Sequence, residues 1–230
     1  MSAQCDRKRQ LQENLETTRQ KIAEFTRKAG RTDAPELLPV TKFHPAEDLA
    51  LLAELGVTDV AENREQEARA KAEELPQLRF HMIGQIQTKK ANHVARWAAT
   101  VHSVDSEKLA LALNRGMHNA GRDEPLPVFI QVSVDADSTR GGIPLAHLSE
   151  LVEVVEDLEL LTLKGLMVVP PLDADAQQVF TKVRAECDVL TQQLGRGMKL
   201  SAGMSADLEQ AIAAGSDIVR VGTGIMGPRP

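Results

Sequence analysis

Residues 37–63 read LLPVTKFHPAEDLALLAELGVTDVAEN, and this stretch decides the fold. LLPVTK (Leu37–Lys42) is a short, mostly apolar run of strand length. Pro45 then stands in the first turn of a segment that repeats Leu49, Leu52 and Leu55 on one helical face and stops at Gly56. VTDVAEN (Val57–Asn63) returns to a β-prone pattern. Strand, helix and strand in so short a span is the signature of a parallel βαβ unit.

The same rhythm continues on both sides. Upstream, residues 1–30 predict a helix with Leu11, Leu15, Ile22 and Phe25 near one face and Gly30 where a helix ends. Downstream, the helical run REQEARAKAEEL is halted by Pro76, and FHMIG (Phe80–Gly84) is a third strand. TVHSVD (Thr100–Asp105), PVFIQVSV (Pro127–Val134) and LTLKGLMVV (Leu161–Val169) are the fourth to sixth. MKLSAG (Met198–Gly203) and SDIVRVGT (Ser216–Thr223) are the seventh and eighth. Between the fifth and sixth, Pro144–Asp157 carries Leu148, Leu151, Val152 and Val155 on one face. Eight strands separated by helices in 230 residues predict an α/β single-domain (β/α)8 barrel over residues 1–230, with 1–30 as an extra N-terminal helix packed on it. A doubly wound sheet would want a glycine-rich turn after its first strand, where this chain has Lys42-Phe43-His44-Pro45.

Composition narrows the function. The chain holds 27 Lys+Arg against 33 Asp+Glu, a net charge of -6, and only 3% aromatics. It lacks the positive charge and stacking surfaces of a nucleic-acid binder. No apolar run reaches the ~18–20 residues that span a bilayer, and the first residues contain no signal-peptide core. Cys5 and Cys187 make neither a disulfide framework nor a metal site. The reading is a cytoplasmic protein without membrane, nucleic-acid or metal partners. The chain contains no tyrosine.

In a (β/α)8 barrel the chemistry lies at the carboxyl ends of the strands. The residues there are Lys42, Asn63, Gly84 to Gln87, Ser103, Met167, Ser201 and Arg220 to Thr223. Lys42 ends an otherwise apolar strand. A partly desolvated lysine has a depressed pKa, and its free amine attacks carbonyls to form an imine; a strand-end lysine that merely reaches solvent is the plainer alternative. The second feature is a pair of late loops, LSAGMSADLE (Leu200–Glu209) and VRVGTGIMG (Val219–Gly227). Gly203 allows a tight turn, Ser205 is placed to cap a helix with Asp207 in its first turn, and Gly222-Thr223-Gly224 offers N–H groups and a hydroxyl. Loops after strands seven and eight form the phosphate cradle of many such barrels. An imine lysine facing a phosphate cradle suits a phosphorylated aldehyde, pyridoxal phosphate being the obvious one.

At these residues the sequence resembles the pyridoxal phosphate homeostasis protein family, a fold type III barrel similar to the amino-terminal domain of alanine racemase. The matching segments are LLPVTK, AEN with Asn63, HMIGQIQTKK (His81–Lys90), DSTRGGI (Asp137–Ile143), KGLMVVPP (Lys164–Pro171), LSAGMS (Leu200–Ser205) and VRVGTGIMG. The resemblance implies that Lys42 forms an internal aldimine with pyridoxal phosphate. It places Ser201, Gly203, Ser205, Gly222 and Thr223 at the phosphate, sets Arg220 against the pyridine nitrogen, and counts Asn63, His81 and Met167 with the cofactor-binding set. His44, Lys89, Arg140 and Ala202 depart from the family pattern.

An arginine at the pyridine nitrogen leaves it unprotonated and weakens carbanion stabilisation. Two-base racemisation also needs an acid/base opposite the lysine, which the racemases take as a tyrosine from a second domain. With no tyrosine and no second domain, the expectation is a monomeric carrier of pyridoxal phosphate without established turnover, serving cofactor supply and amino-acid balance, with apo enzymes as recipients. A pyridoxal phosphate-dependent racemase is the alternative. A lysine aldolase acting on a sugar phosphate is a third, and would want Glu62 or Asp105 near the lysine.

Overall fold

The computed structural model describes residues 3–135 and 141–228. Nine strands join one parallel sheet in the order β1-β9-β8-β7-β5-β4-β3-β2, with β6 added beside β5. They are β1 (Glu36–Pro39), β2 (Asp59–Glu62), β3 (Arg79–Met82), β4 (Ala98–Val104), β5 (Leu126–Ser133), β6 (Ile143–Pro144), β7 (Leu161–Val168), β8 (Lys199–Ser201) and β9 (Ile218–Val221). The sheet curls until its two edges meet. Beyond β1, Val40 N donates to Val221 O at 2.9 Å, then Thr41 N donates to Ala61 O at 3.0 Å. Val40 also bridges Ala61. The chain therefore changes partner from β9 to β2 immediately before Lys42, and the eight principal strands form a nearly closed barrel.

The eight expected strands are present, and two differences stand out. The two-residue β6 has too short an apolar run to be legible as a strand, and it exists only through its pairing with β5. Asp137 and Arg140, which precede it, lie outside the described residues. The last two strands are shorter than their apolar runs. Ser216 is fully buried before β9, and its hydroxyl lies 2.7 Å from Ala202 O and 3.0 Å from Ile218 O. It sits beside the backbone bonds that join the two strands, Ala202 N to Ile218 O at 3.0 Å and Asp217 N to Leu200 O at 2.8 Å.

The helices follow the apolar periodicities. α1 spans Ala3–Lys28, α2 Ala46–Glu54, α3 Glu65–Glu74, α4 Ala91–Trp97 and α5 Glu107–Asn119. They continue with α6 (Leu148–Glu156), α7 (Ala176–Leu194), α8 (Leu208–Ala213) and α9 (Thr223–Met226). Leu11, Leu15 and Ile22 of α1 are buried in a cluster with Leu49, Leu52, Ile212 and Ile225. At about 1.5–3 kcal/mol for each buried aliphatic side chain, that face fixes α1 to the barrel. Because α9 is a single turn, α1 fills the place in the outer ring beside α2 and α8.

The barrel interior is small and mixed. Leu38, Val40, Ala61, Phe129, Met167 and Ile218 form its apolar cluster. Thr100, His102, Ser201 and Arg220 are buried with them. Strand alternation puts Leu38, Val40 and Lys42 on the inner side and Thr41 on the outer side. A wholly apolar interior would need no such polar set.

Candidate cofactor site

A cavity of about 450 Å³ opens at the carboxyl ends of the strands, within the ~300–1,000 Å³ range of small-molecule sites. Among the residues singled out in the sequence, its wall contains Lys42, Asn63, Met167, Ser205, Arg220, Gly222 and Thr223. Val40, Ile83, Val169, Met204 and Ala206 complete it without having been predicted. Val40 was accessible to inference, since it stands two residues before Lys42 on the same strand face. The others lie one or two residues from residues that were named.

Lys42 is half-buried and follows the partner change of β1. The chain bends sharply beyond it, because Phe43 adopts a left-handed conformation at φ 70°. Phe43 N donates to Glu67 Oε1 at 2.7 Å, and the Arg64 guanidinium sits 5.0 Å from the Phe43 ring centre. The bend leaves Lys42 on the cavity wall while the chain turns outward into α2.

The opposite wall is built by the loops after β8 and β9. Gly203 has φ 96°, and a Cβ there would stand 2.4 Å from Ala211 Cβ, so only glycine permits this turn. The structure corrects the expected helix cap. Ser205 stays in the turn on the cavity wall, while Asp207 occupies the position before α8 and accepts from Met204 N at 2.5 Å. A Cβ on Gly224 would lie 3.5 Å from Ser205 Oγ, which brings the two loops together. Gly222 O takes both Ile225 N and Met226 N at 2.9 Å. The N–H groups of Thr223 and Gly224 precede this turn and have no partner within it. They stand with the Thr223 and Ser205 hydroxyls as a donor set suited to a phosphate.

Arg220 closes the floor. It is 3% exposed and donates from Nη1 to Ser201 Oγ at 2.7 Å and from Nη2 to Val168 O at 3.0 Å. Burial lowers its pKa to about 10, so it remains a cation at neutral pH. Both contacts are to neutral oxygens. A buried guanidinium on a cavity wall favours an anionic or electron-rich ligand.

Three predicted residues lie off this wall. Gly203 shapes the turn behind Ser205. Ser201 and His81 lie beneath the floor, where they support Arg220. His102 Nδ1 is 2.9 Å from Ser201 Oγ, His81 Nδ1 is 3.0 Å from His102 Nε2, and His81 Nε2 is 2.9 Å from Asp59 Oδ1. Burial, with His81 and Arg220 nearby, holds His102 well below the usual imidazole range. These contacts run as one continuous chain from Arg220, which only donates, through Ser201, His102 and His81 to Asp59, whose carboxylate only accepts. His102 also stacks on Phe129, with ring centres 4.5 Å apart. Nothing in the sequence pattern separated His102 from an ordinary strand residue.

Fold and cavity together define a (β/α)8 barrel with an amine, a buried cation and a hydroxyl-rich donor cradle around one opening. Comparison with known proteins agrees. The alanine racemase N-terminal domain family matches residues 13–230. The pyridoxal phosphate homeostasis protein of Corynebacterium glutamicum is 55% identical over 199 residues, covering 84% of this chain and 90% of that protein. Its counterpart in Mycobacterium tuberculosis is 42% identical over 249 residues, covering 100% and 96%. The PipY protein of Synechococcus elongatus, solved with PLP bound, superposes with a TM-score of 0.82 at 32% identity, covering 94% of this chain and 100% of that one. The chain belongs to the alanine racemase N-terminal domain family, among the pyridoxal phosphate homeostasis proteins.

Proposed function

We propose that this protein binds pyridoxal phosphate through an imine on Lys42, holding the cofactor for intracellular supply and amino-acid balance. The observation that carries this reading is that Lys42, Arg220 and the Ser205–Thr223 donor set share one cavity. The residues fit the group. Lys42 supplies the amine for the aldehyde, Ser205, Thr223 and the Thr223 and Gly224 N–H groups suit the phosphate, and Arg220 suits the pyridine nitrogen. When bound, the cofactor supplies an electrophilic aldehyde and an electron-accepting ring. Its relatives' names and the PLP-bound PipY structure support the same assignment.

A carrier role suits the rest of the wall. Ser205, Ala206 and Thr223 lie at the rim, where Ser205 and Thr223 are exposed, so a ligand enters and leaves without displacing buried side chains. Among the described residues, Lys42 and Arg220 are the acidic or basic side chains on the wall. Neither tyrosine nor histidine stands there as the second base a racemase needs. Glu62 cannot serve an aldolase-type lysine, because it is fully buried on the outer side of β2, under α3. We further propose that the protein acts as a monomer in the cytoplasm and gives its cofactor to apo enzymes. Among the described residues, no helix is long and apolar enough to cross a membrane.

The test is the visible spectrum of the protein with added pyridoxal phosphate, beside Lys42→Ala, followed by borohydride reduction and peptide mapping. Imine absorbance lost in the variant, with the reduced adduct on Lys42, is the expected result. A colourless parent without adduct would overturn the reading.

A further inference from the structure

A buried charged cluster lies behind the Lys42 bend, on the opposite side of the strand from the cavity. Lys71 of α3 is 8% exposed at its side chain, and its ammonium contacts three oxygens: Glu62 Oε1 at 2.7 Å, Glu67 Oε1 at 2.7 Å and Thr41 O at 3.1 Å. Three contacts satisfy its three donors. The same carboxylates reach the backbone and side chains around Lys42. Glu62 Oε1 also accepts from Thr41 Oγ1 at 2.7 Å, and Glu67 Oε1 accepts from Phe43 N at 2.7 Å. Thr41 and Phe43 are the residues immediately before and after Lys42. The carbonyl on one side and the N–H on the other are thus gripped from α3.

This cluster is a poor device for stability alone. Buried ion pairs seldom outperform apolar packing of the same volume. Glu62 Oε2 is buried without a hydrogen-bond partner, which adds a penalty that an aliphatic residue would not carry. What the cluster does supply is geometry. A left-handed phenylalanine is sterically unfavourable and persists when its surroundings over-determine it. The Glu67 contact to its N–H and the Lys71 contact to the Thr41 carbonyl two residues earlier do so.

We propose that Lys71, Glu67 and Glu62 are positioning residues for Lys42, holding the bend in the conformation that presents its amine to an aldehyde. The inference rests on Lys42 being the imine-forming residue. In that reaction the neutral amine nitrogen adds to the aldehyde carbon. The carbonyl oxygen leaves as water with the two amine hydrogens, and a C=N bond remains. The cluster touches neither reactant, so its effect falls on covalent capture and spares the non-covalent fit of ring and phosphate.

The experiment compares two ligands: pyridoxal phosphate, and pyridoxine 5′-phosphate, which carries an alcohol in place of the aldehyde. The variants are Glu67→Ala, Glu67→Gln and Lys71→Met. Lys71→Met leaves buried carboxylates unpaired, whereas Glu67 is 24% exposed at its side chain and tolerates truncation, so Glu67→Ala is the decisive variant. The expected result is an imine-formation constant about tenfold lower in Glu67→Ala, with pyridoxine 5′-phosphate affinity within about twofold of the parent. Glu67→Gln keeps an acceptor oxygen for Phe43 N and should restore most of the loss. An unchanged imine constant in Glu67→Ala, an equal loss for both ligands, or no rescue by glutamine would overturn the positioning role. A parent that forms no imine would instead overturn the role of Lys42 itself.

Discussion

His102 and Arg220 meet at one hydroxyl: His102 Nδ1 and Arg220 Nη1 lie 2.9 Å and 2.7 Å from Ser201 Oγ. Ser201 thus accepts from a cation and hydrogen-bonds a buried imidazole, a pair of contacts that alanine cannot reproduce. Ser201→Ala leaves one buried nitrogen of each partner, Arg220 Nη1 and His102 Nδ1, without its hydrogen bond, at an expected cost of about 1–3 kcal/mol in stability. It also frees the Arg220 guanidinium to rotate away from the cavity floor. Urea unfolding should show the loss. Pyridoxine 5′-phosphate should bind several-fold more weakly, the scale of one net hydrogen bond of ~1 kcal/mol. Unchanged affinity would show that Arg220 is held by Val168 O alone.

The buried imidazoles give stability a defined pH dependence. His102 is held neutral well below the ordinary 6.5, and burial lowers His44 in the same direction. Below pH ~6.5 the unfolded chain binds protons that the folded chain refuses, so stability falls as pH falls. Each such group contributes a slope of up to ~1.4 kcal/mol per pH unit. Asp59, held low by its His81 hydrogen bond, adds a second loss at more acidic pH, as its carboxylate protonates. Burial raises Glu62, which works the other way: its contribution declines as pH rises above the usual carboxylate range. Denaturant midpoints of the parent and His102→Gln between pH 7 and 5 isolate the histidine share. The variant's profile should be flatter; parallel profiles would show that His102 is protonated in the fold.

The barrel was legible because its signals are local. Leu49 and Leu52 face inward at helical spacing, Gly56 ends their helix, and the strands alternate with such segments throughout. The cavity wall was legible for a related reason: strand ends and the glycine-bearing turns converge wherever the sheet closes. What stayed hidden depends on long-range pairing. His81 reads as a strand residue near the cavity, and its role depends on His102 and Asp59, which other strands bring to it. Lys71 reads as one more charge in the helical run REQEARAKAEEL, yet the fold buries it against Glu62. The Ser205 cap failed because α8 begins later, with Asp207 in the position before it and its side chain turned back to Met204 N.

Close backbone approach makes Gly84 a sharper test of the site than its sequence position suggests. A Cβ there would lie 2.1 Å from Asn63 O, a backbone atom that cannot simply swing aside. Asn63 is on the cavity wall, and Gly84 O is itself fixed by Ser103 Oγ at 2.7 Å. Gly84→Ala must push the β2 end away from β3, costing about 1–3 kcal/mol or more in stability and weakening imine formation. Gly197→Ala is the control, since a Cβ on that residue would have nothing within 4 Å of it and its cost should stay within about 0.5 kcal/mol. Equal melting temperatures for the two variants would refute the argument.

The N-terminal helix holds the proposed phosphate cradle from behind. Asn14 Nδ2 donates to Ile225 O at 2.8 Å and Arg7 Nη2 donates to Met226 O at 2.9 Å, so α1 binds the carbonyl end of α9. Arg7 is fixed in turn by Asp48, with contacts of 3.0 Å and 2.6 Å. The other end of α9 begins at Thr223 on the cavity wall. A single turn has little rigidity of its own, so loosening its far end should blur the donors at its near end. Asn14→Ala removes one hydrogen bond, worth about 0.5–1.5 kcal/mol. Its effect should be selective: affinity for pyridoxal phosphate falls several-fold, while pyridoxal, which has the same ring and aldehyde but no phosphate, binds as to the parent. Amide exchange at residues 223–227 should quicken in the same variant. If pyridoxal and its phosphate lost affinity together, α1 would be supporting the barrel as a whole and not the cradle.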